Sequence, residues 1–251
     1  MKYKVLIVGG GNGLGSQLAR LLVEENIEIH VLTRSCPIEE VDNVAVTRHQ
    51  ADLQHLDNAQ IDELGSLMAS MDATAFCQRY RKARDDHQSS CEDALDEYQV
   101  CIQSTALMIE KMIEKIRKNS DMNLTQRPKQ LLLVGSTYTS YAGFDQDWSY
   151  HAVKSALHGL VRYFAIRSNG LYAINMISPP TFMKSKTEDY WNKTEKYNRW
   201  KNYPSKSLPT ANDIAELAKV ILLSSSRFIN GQNIVCDGGA SCLYLDQQVI
   251  S

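Results

Sequence analysis

Residues 149–154 read Ser-Tyr-His-Ala-Val-Lys, with Tyr150 four positions ahead of Lys154. Four residues is just over one helical turn, so both side chains fall on one helix face and their polar ends can meet. A phenol beside an ammonium can deliver a proton. Free tyrosine titrates near pH ~10, too high for neutral work, and a neighbouring cation favours the phenolate. The same spacing fits two unrelated residues at the start of an amphipathic helix. The rest of the chain has to decide.

A second cluster lies near the N-terminus, in Val-Leu-Ile-Val-Gly-Gly-Gly-Asn-Gly-Leu-Gly. Gly9, Gly13 and Gly15 fall where a first strand turns into a first helix, and Gly11, Asn12 and Leu14 complete the turn. Glycine permits the tight turn and lets the backbone approach a pyrophosphate, while the helix N-terminus directs amide donors toward the anion. The context, strand before and amphipathic helix after, is the one that gives such a glycine pattern meaning. A plain tight turn is the bland alternative. The next strand ends His-Val-Leu-Thr-Arg-Ser, offering Thr33, Arg34 and Ser35 where NAD-binding chains commonly carry a carboxylate for the ribose hydroxyls. Arginine can form paired hydrogen bonds to a phosphate, which favours NADP(H). A solvated surface arginine is the other reading.

These residues need elements to hold them. Strand and helix patterns alternate from the first residues. Strands are expected at about 2–10, 27–33, 43–53, 72–78, 129–137, 172–178 and 232–239. Helices are expected over about 16–26, 61–71, 91–118, 150–168 and 211–224. Repeated β-α units of this kind imply an α/β fold: a single Rossmann-type, doubly wound parallel sheet with helices on both faces. Neither repeat nor linker divides the chain, so residues 1–251 are read as one domain.

Composition excludes several classes. The chain has 251 residues, 43% hydrophobic and 22% charged, with a net charge of −2, which argues against nucleic acid or an anionic membrane surface. The six cysteines contain no C-x-x-C pair and the six histidines no H-E-x-x-H, so neither a disulfide framework nor a metal site is expected. No stretch is long and apolar enough to span a bilayer, and scattered cysteines without an export signal point to the cytoplasm.

Taken together, the residues resemble the short-chain dehydrogenase/reductase family in its roughly 250-residue form, and the resemblance covers nearly the whole chain. The glycine turn is similar to the family's T-G-x-x-x-G-x-G, with Val8 in place of the threonine. Asp52-Leu53 resembles the pair beside the adenine, and Tyr150 and Lys154 the Y-x-x-x-K. Asn175, Pro179 and Pro180 resemble the N-x-[IV]-x-P-G segment, followed by Thr181, and residues 212–239 resemble the C-terminal helix, strand and D-G-G.

The resemblance implies hydride transfer between NADP(H) and a carbonyl or secondary alcohol, with Tyr150 as general acid/base. It implies that Lys154 also holds the nicotinamide ribose, and that a hydroxyl from the end of the fifth strand binds the substrate oxygen. Spacing favours Thr137 for that hydroxyl, and Ser136 is the alternative. A homodimer or homotetramer is implied through the helices near 91–118 and 150–168, with Ala156, Leu157, Leu160 and Phe164 as candidate contacts, although some of them must face the sheet.

Three departures stand out. Where the family has N-N-A-G, this chain has Phe76, Cys77, Gln78 and Arg79. Arg79 replaces a glycine and could contact the cofactor, bind an acidic substrate, or leave the site. Cys101 takes the place of a relay asparagine, with Gln103 nearby, and reads as a small buried hydrophobe. Pro180 replaces a glycine. His151, beside Tyr150, reads as a helix-surface residue.

The resemblance also implies that a segment at 181–208 covers the substrate. It holds Tyr190, Trp191, Tyr197, Trp200 and Tyr203 among seven basic and three acidic residues. That balance suits a substrate bearing a carboxylate, phosphate or nucleotide, or simply a solvated helix with its aromatics packed inward. The altered segments leave a second functional reading: a catalytically weakened, NADP-binding regulatory or scaffold protein. An epimerase or dehydratase that uses the cofactor transiently is a third.

Overall fold

The computed structural model describes residues 2–11, 13–35, 46–80, 91–118, 127–143, 146–183, 203–207 and 209–243. Seven strands form one parallel sheet in the order β3-β2-β1-β4-β5-β6-β7. They are β1 (Lys4–Val8), β2 (Glu28–Thr33), β3 (Val46–Gln50), β4 (Ala73–Phe76), β5 (Lys129–Val134), β6 (Tyr172–Ser178) and β7 (Asn233–Val235). The helices are α1 (Leu14–Val23), α2 (Asn58–Ser70), α3 (Cys91–Tyr98), α4 (Ser104–Lys118), α5 (Trp148–Arg167) and α6 (Ala211–Leu222). The expected α/β architecture is the observed one.

The central strands are apolar throughout because both sheet faces are covered. Val5 pairs with Ile29 on one side and Ala73 on the other. Along β1, Leu6 and Val8 face a cluster containing Met108, Ile109, Met112, Val161 and Phe164, while Val5 and Ile7 face Leu18, Leu22, Ile214, Ala218 and Leu222. Thus α2, α4 and α5 cover one face, and α1 and α6 the other. Strand order reverses between β1 and β4, and the crevice beyond their carboxyl ends is where this topology receives ligands.

One expectation needs correction. The stretch from 91 to 118 is not one regular helix, because Gln99–Gln103 forms a π-helical turn between α3 and α4. Ser104 Oγ donates to the Val100 carbonyl at 2.7 Å and Thr105 Oγ1 to the Cys101 carbonyl at 2.9 Å. Hydroxyls that bond back four residues compete with backbone amides and distort helices. Of the candidate contact residues on α5, Leu157 and Phe164 are the ones that face the sheet, buried in the core. They share the sheet-facing stripe of α5 with Val153 and Val161, so neither is free for a subunit contact. Leu160 is half-buried against the same core, and Ala156 is exposed.

Candidate active site

A cleft of about 570 Å³ opens along the carboxyl ends of the strands. Gly9, Gly11, Gly13 and Leu14 line it from the β1–α1 turn, and Thr33, Arg34 and Ser35 from the end of β2. Asp52 and Leu53 follow β3, Cys77, Gln78 and Arg79 follow β4, Ser136 follows β5, and Pro179, Pro180 and Thr181 follow β6. Tyr150 and Lys154 enter from α5. Residues as far apart in sequence as Gly9 and Thr181 thus share one cleft because parallel strands present all their carboxyl ends on one side.

The glycine turn is shaped by close approach. Gly9 has φ of 79°, and a Cβ there would sit 2.6 Å from the Gln78 backbone. Gly15 does not line the cleft. It lets α1 pack on the turn, since a Cβ would meet the Gly9 carbonyl oxygen at 2.6 Å. Gly13, with φ of 63°, begins α1 without a side-chain cap. The first-turn amides of α1 are left for an anion. Asn12 lies outside the described residues, as do residues 184–202 and 208 of the expected covering segment.

Asp147 sets the position of Tyr150. Its carboxylate caps α5 by accepting the Tyr150 amide at 3.0 Å. The Tyr150 ring meets Tyr138 edge-on, with centroids 6.1 Å apart, and the Arg79 guanidinium stands 5.0 Å from its centre. Lys154 is buried, donates to the Val134 carbonyl at 3.0 Å, and lies 5.7 Å from the Tyr150 ring centre. Thr137, favoured by spacing, is buried and not among the lining residues. It begins a short 3-10 turn and donates its amide to the Pro179 carbonyl at 3.0 Å. Ser136, one residue earlier, is the hydroxyl that lines the cleft.

His151, read as a helix-surface residue, is half-buried and clamps the loop before α5. The Asp147 carbonyl can only accept, so Nδ1–H donates to it at 2.7 Å, and Nε2 accepts the Gly143 amide at 3.1 Å. The ring also packs on Tyr138 at 4.8 Å. The loop before α5 is thereby tied to its first turn. Burial pushes the Cys77 thiol up to about 12, and raises that of Cys101 as well, so both remain neutral.

Glu97 is a buried carboxyl that sequence reading passed over. Ser149 Oγ lies 2.9 Å from Glu97 Oε2 and 2.9 Å from Asp147 Oδ1. A serine hydroxyl has one proton, so the two carboxyl groups share it unless one of them is itself protonated. Burial raises the Glu97 pKa, and the nearby Asp147 charge adds to the rise while the hydrogen bond from Ser149 opposes it. Tyr80, Val100, Tyr138 and Gln146 also line the cleft and were not foreseen, and Phe182 lines it from the start of the expected covering segment. The first four lie in loops, in the 3-10 turn or at the π-helical turn, where no periodicity marks the inward side.

The site suits a dinucleotide on this chain's own geometry. Thr105 Oγ1 spends its proton on the Cys101 carbonyl, so it accepts from Gln78 Nε2 at 2.8 Å. That fixes the Gln78 amide and leaves its Oε1 buried without a donor. An unmet buried acceptor costs about 1–3 kcal/mol, which a nucleotide hydroxyl or amide would relieve. The glycine cradle and the uncapped α1 N-terminus complete the fit.

A family model described as enoyl-(acyl carrier protein) reductase matches residues 9–241. The chain belongs to this family, within the short-chain dehydrogenases/reductases, a family of oxidoreductases that use nicotinamide cofactors. Solved structures share the fold. One of ElxO with NADP bound is 18% identical, covering 97% of this chain and 100% of its own at a TM-score of 0.80. A short-chain dehydrogenase from Leptospira borgpetersenii with bound NAD+ is 20% identical, covering 96% and 93% at 0.78. The TT0495 protein of Thermus thermophilus is 20% identical, covering 97% and 100% at 0.80. No curated protein matches. Among the described residues, no helix is long and apolar enough to cross a membrane and no group of side chains could hold a metal.

Proposed function

We propose that the protein is an NADP(H)-dependent oxidoreductase interconverting a carbonyl and a secondary alcohol, with Tyr150 as general acid/base. What carries the reading is the convergence of Tyr150, Lys154 and Ser136 on the cleft that the Gly9–Gly13 turn opens. The α1 amides would hold the pyrophosphate, Arg34 the 2′-phosphate, Asp52 and Leu53 the adenine, and Lys154 the nicotinamide ribose. Cys77, Gln78, Pro179 and Thr181 would line the remainder. When bound, NADPH supplies the hydride that the carbonyl carbon accepts. Ser136 holds the carbonyl oxygen through its hydroxyl, and Tyr150 gives that oxygen its proton. Lys154 keeps two N–H groups beyond the one given to Val134, enough for the phenol and the ribose together.

The reading is tested by NADPH consumption over a panel of aldehydes and ketones, with Tyr150→Phe as the control. The variant should keep NADPH affinity and lose about 10²- to 10⁴-fold in turnover, the range of general acid catalysis. A loss below roughly tenfold would favour the nucleotide-binding regulatory reading, which Cys101 and the altered β4 end support.

A further inference from the structure

We propose that Arg79 anchors an anionic group of the substrate beside Tyr150, and that the substrate is a small oxo acid or its hydroxy acid. The inference rests on the oxidoreductase reading above and narrows it to carbonyl compounds whose carboxylate lies a few bonds from the reacting carbon. Arg79 follows β4, lines the cleft and is exposed to it. Its guanidinium is held on two sides. Cζ stands 5.0 Å from the centre of the Tyr150 ring, and Nη2 donates to Gln146 Oε1 at 3.1 Å. Neither partner carries a countercharge.

A guanidinium has five N–H donors in a fixed fork and stays charged at any working pH. One of the five is committed to Gln146. Among the described residues no carboxylate forms an ion pair with Arg79. Glu97 lies within its electrostatic reach but is buried and bonded to Ser149. A held, charged fork with no ion-pair partner among the described residues suits a carboxylate, which it can bind through two parallel hydrogen bonds.

Position argues that this anion belongs to the substrate. The groups suited to cofactor phosphates, the Gly11–Gly13 turn and Arg34, sit beyond β1 and β2. Arg79 instead stands over the ring whose hydroxyl must meet the reacting carbonyl. A carboxylate on Arg79 would turn a bound oxo acid so that its carbonyl oxygen faces Tyr150 and Ser136. Val100, Tyr138 and Phe182 line the same cleft and suit a short carbon skeleton.

The test is a binding titration, which does not depend on turnover. Protein is first titrated with NADPH and with NADH by nucleotide fluorescence. The loaded protein is then titrated calorimetrically with oxamate and acetoacetate, and with their neutral counterparts oxamide and acetoacetamide. At least one acid should bind about tenfold or more tightly than its amide, the scale of one charge-assisted pair. Arg79→Gln should level acid and amide, whereas Tyr150→Phe should preserve the preference. Loaded protein that binds neither acid, or acid and amide alike, overturns the inference alone. So does an Arg79→Gln variant that retains the preference. Failure of both NADPH and NADH to bind removes the oxidoreductase reading and the inference together.

Discussion

The Lys154 ammonium lies 5.7 Å from the centre of the Tyr150 ring while donating to the carbonyl of Val134, the last residue of β5, at 3.0 Å. One buried lysine therefore ties α5 to the sheet at the point where α5 presents its tyrosine. Asp147 fixes the same turn from the other end through the Tyr150 amide. The ring's place is set by a cap, a backbone carbonyl and the clamp of His151, rather than by the helix alone.

The choice between two adjacent hydroxyls is directly testable. Ser136 lines the cleft and Thr137 does not. Ser136→Ala should lower kcat/KM at least tenfold, since a hydrogen bond to a charge-bearing oxygen is worth about 1.5–3 kcal/mol. Thr137→Val should change it by less than about threefold on the same scale. Ser136 also accepts the Tyr138 amide at 3.3 Å, so thermal melts of both variants must accompany the rates. The reverse ranking would return the role to Thr137.

Arg34 is exposed at the end of β2, with its carbonyl held by Gln50 Nε2 at 3.2 Å. If its side chain meets the 2′-phosphate, NADP should bind more tightly than NAD. Arg34→Ala should then remove most of a preference of about ten- to a hundred-fold, from about 1.5–3 kcal/mol. Titration calorimetry with both nucleotides measures this. Equal affinities in the unaltered protein would assign Arg34 to the solvated surface.

Much of this site was legible in the sequence for one physical reason. Parallel strands bring all their carboxyl ends together, so a residue at or just past a strand's end can be placed from its position alone. That holds for Gly9, Thr33, Asp52, Cys77 and Pro179. Legibility failed where contacts across the fold decide. Counting residues favours Thr137, but which of the two hydroxyls meets the cleft depends on how the chain turns after β5, and it is Ser136 that lines the wall. Glu97 carries no mark in the sequence that sets it apart from the other charges of its helix, yet it is the residue of α3 buried beside Ser149 of α5. The π-helical turn at Gln99–Gln103 depends on where two hydroxyls donate, which no apolar periodicity records.

Glu97 gives a pH prediction with a definite sign. Its folded pKa is raised above the ordinary 4.5, chiefly by burial, with Asp147 adding to the rise and Lys154 and Arg79 opposing it. The folded protein therefore holds more protons than the unfolded chain as pH climbs past 4.5, and stability falls through that window. Glu97→Gln keeps the shape and removes the titration. The variant should melt at a higher temperature than the unaltered protein at pH 7 to 8. The gap should close as pH falls toward the ordinary carboxyl value. A gap that is constant across pH would show that Glu97 is ionised alike in both states.

Lys154 offers the sharpest separation of roles, because it is assigned to the phenol and the nicotinamide ribose at once. Lys154→Met preserves the buried stem and removes the charge, leaving the Val134 carbonyl without this donor. That loss alone should destabilise the fold by about 1–3 kcal/mol, visible in a denaturant midpoint. Turnover should fall at least as far as in Tyr150→Phe, within the roughly 10²- to 10⁴-fold range of general acid catalysis. The two variants should part in the NADPH titration. Tyr150→Phe keeps every proposed nucleotide contact except the hydroxyl and should bind as the unaltered protein does. Lys154→Met should bind about tenfold or more weakly, having lost a charge-assisted hydrogen bond. Measured on folded protein, unchanged NADPH affinity in Lys154→Met would confine the lysine to the β5–α5 junction, where its bond to Val134 already explains its burial.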